Sequence, residues 1–261
     1  MPESSLSFGY DNLLLAVGDF LGFRRDVTAY SADEISQCDR AIDAGYRRFL
    51  NPPAVLDHMT GRMSAHQWSF LHLTGTQATA AADYDYDLPA NYGFPEGPVA
   101  FAEGEGFGAL IQRNEAQIRA YRQNITSTGR PIYFAVRAKV MAAADGVGQR
   151  FELLLHPTPG GEYNLVYPYH VVVDSVKDMS YPYGGAQHTE TIRQACLAAA
   201  EEAEDEEGIH NKRFLECLTA SISADRRQGS ANFGYNGDHS DRGGLGKYER
   251  TAGVTVYGLE P

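Results

Sequence analysis

Cysteine is scarce: Cys38, Cys196 and Cys217 lie far apart and form no CxxC pair. A sparse, odd set excludes a disulfide framework and a zinc knot. No apolar run approaches the 18 residues that a membrane-spanning helix needs. The first ten residues lack a basic start and an apolar core, so no secretory signal peptide is expected. Basic residues are also short. The 261 residues hold 22 Lys and Arg against 34 Asp and Glu, a formal charge of −12. That balance is a poor match for gripping nucleic acid, which takes clustered Lys and Arg on the phosphates. The deficit is uneven, because residues 63–112 contain no Lys or Arg. What remains is globular: 43% hydrophobic and 21% charged residues can fill a core and cover it. Tyr (16) and Gly (27) are abundant, with glycines densest at 104–108 and in the last 33 residues.

Periodicity organises the chain into helices, a β-rich middle, then helices again. Residues 11–23 read as a short helix with Asp11 as cap, Leu13, Leu14, Val17, Phe20 and Leu21 as apolar face, and Gly22 as stop. Ser31 and Glu34 form a capping box ahead of Ile35, Cys38, Ile42, Tyr46 and Phe49 at helical spacing. Asn51-Pro52-Pro53 ends that helix, since a residue before proline avoids the helical region. Trp68–Leu71 reads as a strand. Asp83–Asp87 alternates acid and ring, which puts both rings on one strand face and a solvated acidic face opposite. Residues 109–126 fit either a helix or a long strand. Residues 131–142, 149–156 and 162–175 are further strands, and 157–161 is a Pro/Gly turn. Pro168 argues for an edge position or a bulge. Helices follow at 188–206 and 210–226, broken at Gly208. The order predicts an α+β fold, with an antiparallel β-sheet or sandwich inserted in a helical bundle. The expected parts are 1–62 (helical), 63–180 (β-rich), 181–227 (helices completing the bundle) and 228–261 (extended, Gly-rich tail).

No catalytic or cofactor signature is complete. Gly104–Gly108 and Gly243–Lys247 miss the spacing of dinucleotide and phosphate loops. Asp83, Asp85 and Asp87 lack the glycine and terminal Glu of an EF-hand, and Asp238–Asp241 reads as a polar loop. The eight histidines form no HExxH and adjoin no GxSxG. No metal, cofactor or catalytic residue is therefore assigned. Six acids crowd 201–207, at the end of a helix where the dipole repels them. A basic partner would relieve them, and Arg47-Arg48 or Arg226-Arg227 of a neighbouring copy would serve, giving salt-sensitive assembly.

In series, Phe49-Leu-Asn-Pro-Pro53, Trp68-Ser-Phe-Leu71, Asp83-Tyr-Asp-Tyr-Asp-Leu-Pro89, Arg130-Pro-Ile-Tyr133 and Pro157-Thr-Pro-Gly-Gly-Glu-Tyr163 resemble the head–tail connector, or adaptor, proteins of tailed bacteriophages. With the flanking helices the resemblance covers about residues 11–225. It implies a structural virion protein of the neck, without enzyme activity. It further implies a homo-oligomeric ring, typically twelvefold, beneath the portal protein. Such a ring joins capsid to tail and lines the channel through which DNA passes unbound. It implies that the C-terminal helix and tail face the portal and that the β part faces outward or toward the next tail component. Aromatics with a polar tip suit subunit contacts. The interface candidates are Trp68, Tyr84, Tyr86, Arg226, Arg227, Phe233, Tyr235, Tyr248 and Tyr257. Two other readings stay open: a tail terminator or stopper, and a polymer-degrading hydrolase built from residues such as Glu152, His156 and Asp87.

Overall fold

The structure, a computed structural model, describes residues 4–56, 63–124, 128–139, 148–204 and 208–228. The chain divides into two units, Met1–Asp225 and Arg226–Pro261. The described helices and strands lie in the first unit, except that the final helix runs on to Gln228.

Helix α1 (Tyr10–Phe20) starts at Gly9, which offers no side-chain cap, and Asp11 sits in its first turn rather than capping it. It stops as the glycine predicts. Gly22 takes φ +78°, while Phe23 N–H donates to Gly18 O (2.8 Å) and Gly22 N–H to Asp19 O (3.3 Å). These two bonds satisfy carbonyls the helix leaves open. Helix α2 (Ala32–Leu50) carries the predicted capping box: Ser31 Oγ accepts from Glu34 N–H, and Glu34 Oε2 accepts from Ser31 N–H. Its buried face is Cys38, Ala41, Ile42, Gly45, Tyr46 and Phe49. Two short strands follow, β1 (Val55–Leu56) and β2 (Met63–Ser64).

The chain then runs through β3 (His72–Ala78), β4 (Asp85–Asp87), β5 (Tyr92–Pro95), β6 (Ala100–Phe101), β7 (Ile111–Gln112), α3 (Glu115–Asn124), β8 (Thr128–Gly129), β9 (Tyr133–Ala138), β10 (Phe151–His156), β11 (Thr158–Pro159) and β12 (Asn164–Val171). Helices α4 (Gly185–Ala203) and α5 (His210–Gln228) close the order. The fold class is α+β, with antiparallel and mixed sheets. One sheet has the order β3-β12-β5, with β6 also on β12, and the other β4-β10-β9-β7, with β7 parallel to β9. Their facing sides share a core of Tyr86, Leu88, Phe134, Leu153 and Leu155 against Tyr92, Leu165, Tyr167, Tyr169 and Val171. Helix α3 covers the far side of the second sheet through Ile118, which packs on Ala135 and Leu154. Strand β10 is thus covered on both faces, and its middle, Leu153–Leu155, is continuously apolar instead of alternating.

Several sequence expectations need correction. Trp68–Leu71 is not a strand: Trp68 precedes a single 3-10 turn, Ser69–Leu71, and the strand begins at His72. The Asp225 carboxylate forces that turn by accepting from Ser69 N–H (3.1 Å) and Ser69 Oγ–H (2.5 Å). Residues 109–126 are both a strand and a helix, because Asn114 and Gln117 cap α3 reciprocally. Pro168 lies inside the middle strand of its sheet, not at an edge. It sits between the residues of β12 paired to β6 (Leu165, Val166) and those paired to β5 (Tyr169–Val171), where the neighbouring ladder is interrupted. A register shift does follow, at His170/Val171. The tail from 229 onward lies outside the described residues.

The helical core joins α1, α2, α4 and α5 through Leu13, Val17, Ile42, Phe49, Ile192, Phe214 and Leu218. Helix α2 comes close to the backbone of α4 at Gly45, where an added Cβ would come within 2.4 Å of Cys196 Cα. That contact is backbone on helix and cannot give way by a rotamer change. Gly45→Ala is expected to destabilise the protein by about 1–3 kcal/mol, the cost of overpacking, read as a lower urea midpoint at unchanged slope. A second outcome concerns Asp225. Burial pushes its carboxyl up, but the hydrogen bonds from Ser69 and His66 outweigh burial and hold it below the ordinary carboxylate range. A depressed folded value stabilises above the unfolded value, about 3.9, and is lost as pH falls through the folded one. Unfolding titrations from pH 7 to 2 should show Asp225→Asn less stable by roughly 1–3 kcal/mol at pH 7, with a flatter acid limb below about pH 4.

Candidate interface

Strand β12 sorts its side chains by parity. Leu165, Tyr167, Tyr169 and Val171 enter the core, so Val166, Pro168 and His170 point to the outer face. Val172, just beyond the strand, is 56% exposed, and Phe94 of β5 is 46% exposed. The His170 ring lies flat on Phe94 at 4.6 Å and 9°. His72 meets His170 edge-on at 5.8 Å, and its Nδ1 faces Glu96 Oε2. Gly93 makes this packing close, because a side chain there would come within 2.9 Å of His170 O and 3.0 Å of Val172 Cγ2. Burial pushes the His170 imidazole down, His72 adds to this, and Glu96 opposes it, leaving a net lowering. The lowering favours the neutral ring, which joins the apolar surface. A groove of about 480 Å³ runs beside it, walled by Leu50 and Arg47 of α2 and by Leu71, Phe94, His170 and Val172. The result is an exposed aromatic and aliphatic face with a polar rim, suited to binding protein.

The structure treats the predicted interface residues differently. Trp68 is fully buried, packs on Phe49 (4.6 Å) and His188 (5.1 Å), and donates from Nε1 to Phe49 O (2.9 Å). Tyr86 is buried, its hydroxyl donating within the turn to Ala80 O or Asp83 O. Both are core residues and present no ring to a partner, which corrects that expectation. Tyr84 is exposed, with the Arg122 guanidinium 4.2 Å above its ring. Arg226 and Arg227 lie exposed at the end of α5. Phe233, Tyr235, Tyr248 and Tyr257 lie outside the described residues. Phe94, His170 and Val172 were missed by sequence reasoning. The parity of 164–172 carries the signal for His170 and Val172. Phe94 needs the pairing of β5 to β12, which local sequence does not give.

Among the described residues, several of the acids expected to be solvated or to await a neighbour are engaged within the chain, while Asp205, Glu206 and Glu207 lie outside the described residues. Asp85 pairs with Arg122 (2.8 Å) and Arg137 (3.5 Å), and Asp87 with Lys139 (2.6 Å). Glu202 pairs with Arg48 (2.5 Å), and Glu204 accepts from Gln37 Nε2 (3.0 Å). Glu201 is buried and caps α5 by accepting from His210 N–H (2.9 Å). Of the basic spot Arg47-Arg48, Arg48 thus meets the acidic run in the same molecule.

The three residues named for a hydrolase do not converge. Glu152 and Asp87 face each other across paired strands, but Arg137 takes the Glu152 carboxylate and Lys139 takes that of Asp87. His156 stands four residues along β10, about 13 Å away at strand rise, buried between Tyr121 and Tyr133. Burial, with Arg122 nearby, lowers its imidazole. Among the described residues, no group of three or more His, Cys, Asp or Glu is placed to hold a metal ion. No described helix is long and apolar enough to cross a membrane.

No family model matches the chain, and no curated protein matches it.

Arg137 reaches Asp85, Glu115 and Glu152, of which Glu152 is buried. Arg119 reaches only Glu115 and is exposed. If the cluster is structural, Arg137→Ala should cost about 3 kcal/mol, because it leaves a buried carboxylate unpaired. Arg119→Ala should cost at most about 0.5 kcal/mol. Paired denaturant melts of the two variants check the contrast.

Proposed function

We propose that this chain is a structural virion protein, a head–tail connector that forms a ring beneath the portal and joins capsid to tail. The reading is carried by the serial order of the short motifs from Phe49 to Tyr163, set between the flanking helices. The Phe94–His170–Val172 face, with Phe94 and Val172 exposed, supports a role in protein contact, since aromatic and aliphatic side chains set among polar groups suit an interface. The charge fits the other half of the task. DNA leaving a capsid must slide past the ring wall, and a subunit of formal charge −12 repels phosphate instead of holding it. In this reading the partners are other copies of the chain, the portal protein and the next neck or tail component, with DNA as a passing neighbour.

Electron microscopy of purified particles tests this directly. The expected image is a ring, twelvefold, in contact with the portal. A chain that stays monomeric in the presence of portal rings would sink the reading, and a sixfold ring further down the neck would favour a terminator or stopper. The double variant Phe94→Ser/Val172→Ser should fold with stability within about 0.5 kcal/mol per site, because both side chains are exposed. It should assemble at least roughly tenfold more weakly, since buried apolar area equivalent to about 1.4 kcal/mol is lost.

A further inference from the structure

The two four-stranded sheets have exposed edges of very different kinds. Strand β4 is three residues long and carries Asp85 and Asp87. Strand β7 is two residues long. Strand β5 contains Gly93 and Pro95 and ends at the register shift on β12. Short length, charge, proline and bulges are the devices by which proteins keep sheet edges from pairing with other chains.

Strand β3 has none of them. It runs seven residues, His72-Leu-Thr-Gly-Thr-Gln-Ala78, with no proline and no Asp, Glu, Lys or Arg. Its register against β12 is unbroken from His72↔His170 to Ala78↔Asn164. Among the described residues its only ladder partner is β12. About 23 Å of backbone therefore offers one side to a further strand. Parity sets what that strand must look like. Thr74 and Thr76 are exposed on the outer face, and half-buried Leu73, Gly75 and Gln77 turn toward the inner one. Gly75 carries no side chain because the Tyr167 ring fills its place, within 2.6 Å of where a Cβ would be. A matching strand alternates apolar and polar residues and carries no charge.

The chain holds one such segment beyond the described residues: Val254-Thr-Val-Tyr257, flanked by Gly253 and Gly258. Its valines match the inner parity, beside Leu73, and Thr255 and Tyr257 match the outer parity, beside the threonines. The described chain ends at Gln228, three residues past Asp225, whose carboxylate is bonded to Ser69 just ahead of β3. Residues 229–253 make a spacer of 25 residues with seven glycines. By the scaling for Gly-rich linkers, 25 residues correspond to an average reach of about 25–30 Å, enough to meet a neighbouring subunit in a close-packed ring. Resting on the connector reading, we infer that residues 254–257 of one copy add as a strand to the open β3 edge of the next copy, linking subunits head to tail. A heterologous contact of this kind closes a ring, whereas β3 pairing with itself about a twofold would give a dimer.

The test uses full-length chains in a Cys217→Ser background. One preparation carries Thr74→Cys or Thr76→Cys and the other Thr255→Cys. They are mixed, assembled and oxidised, rings are counted by electron microscopy, and covalent products are read on a denaturing gel. Rings with a disulfide-linked dimer, reduced roughly tenfold or more by adding Val254→Asp and Val256→Asp, are the expected result. Rings without a linked dimer overturn the strand addition and leave the connector reading standing. No rings from the unsubstituted chain remove the connector reading, and this inference with it. A double variant carrying both cysteines that links only within single chains overturns the transfer between copies.

Discussion

The Asp225 carboxylate is the constraint on which the arrangement turns. It sits near the end of the last helix, 2% exposed, and accepts from Ser69 N–H, Ser69 Oγ–H and His66. Three donors on one buried carboxylate offset the cost of removing it from water. They also fix the turn that places Trp68 in the helical core and starts β3 three residues after Ser69. The only tryptophan then closes the seam by donating to the carbonyl of Phe49, at the end of α2. Helices and sheet are thus joined by directional bonds as well as by apolar area. The start of β3 is set by the last helix, which lies about 150 residues further along the chain.

The same logic governs the acids. A net charge of −12 suggests a surface of unpaired carboxylates, yet many of the acids that crowd the sequence are consumed inside the fold. Glu201 takes an orphan N–H at the start of α5, a position where a negative group is favoured by the dipole. Its place near the end of α4 is unfavourable on that helix alone. One residue is therefore set at the ends of two helices, favoured by the dipole of α5 and opposed by that of α4. Asp85 and Glu152 together face Arg137, and Arg122 adds hydrogen bonds to Tyr84 O and Leu155 O. The cluster spans β4, β9, β10 and α3 and pins the outer side of that sheet, where hydrophobic contact is thin.

Most self-contained local signals read correctly, although Asp11 sits in the first turn of α1 instead of capping it. The capping box at Ser31, the Gly22 stop, the Gly208 break and the strands near 133–138, 151–156 and 164–171 need only neighbours in sequence. The larger failures share one cause. Trp68–Leu71 has strand composition, but a carboxylate from residue 225 dictates a turn. Asp85 and Asp87 look solvated until Arg122, Arg137 and Lys139 arrive from other strands and a helix. Tyr84 and Tyr86 look alike, yet one is capped by a guanidinium at the surface and the other is locked into the core. The candidate interface was the least legible part. Its residues are ordinary in sequence and become a patch only when β5 is laid beside β12.

An uncovered strand edge is a standing hazard for any soluble chain, because it will pair with whatever extended segment it meets. The other edges of the two main sheets carry a device against that hazard, while β3, the longest of them, carries none. From Leu73 to Ala78 it carries no Asp, Glu, Lys or Arg and its ladder on β12 is regular, so nothing local twists it away from a partner. The adjoining outer face adds Phe94 and Val172, exposed, and a histidine whose surroundings favour its neutral form. Edge and face lie on one sheet, within reach of one partner. A strand added to β3 supplies backbone hydrogen bonds that no described strand makes to its outer edge, and side chains crossing the face supply apolar burial. Neither alone is specific. Together they demand a partner that is extended, uncharged and alternating, which is a far narrower requirement than hydrophobic contact.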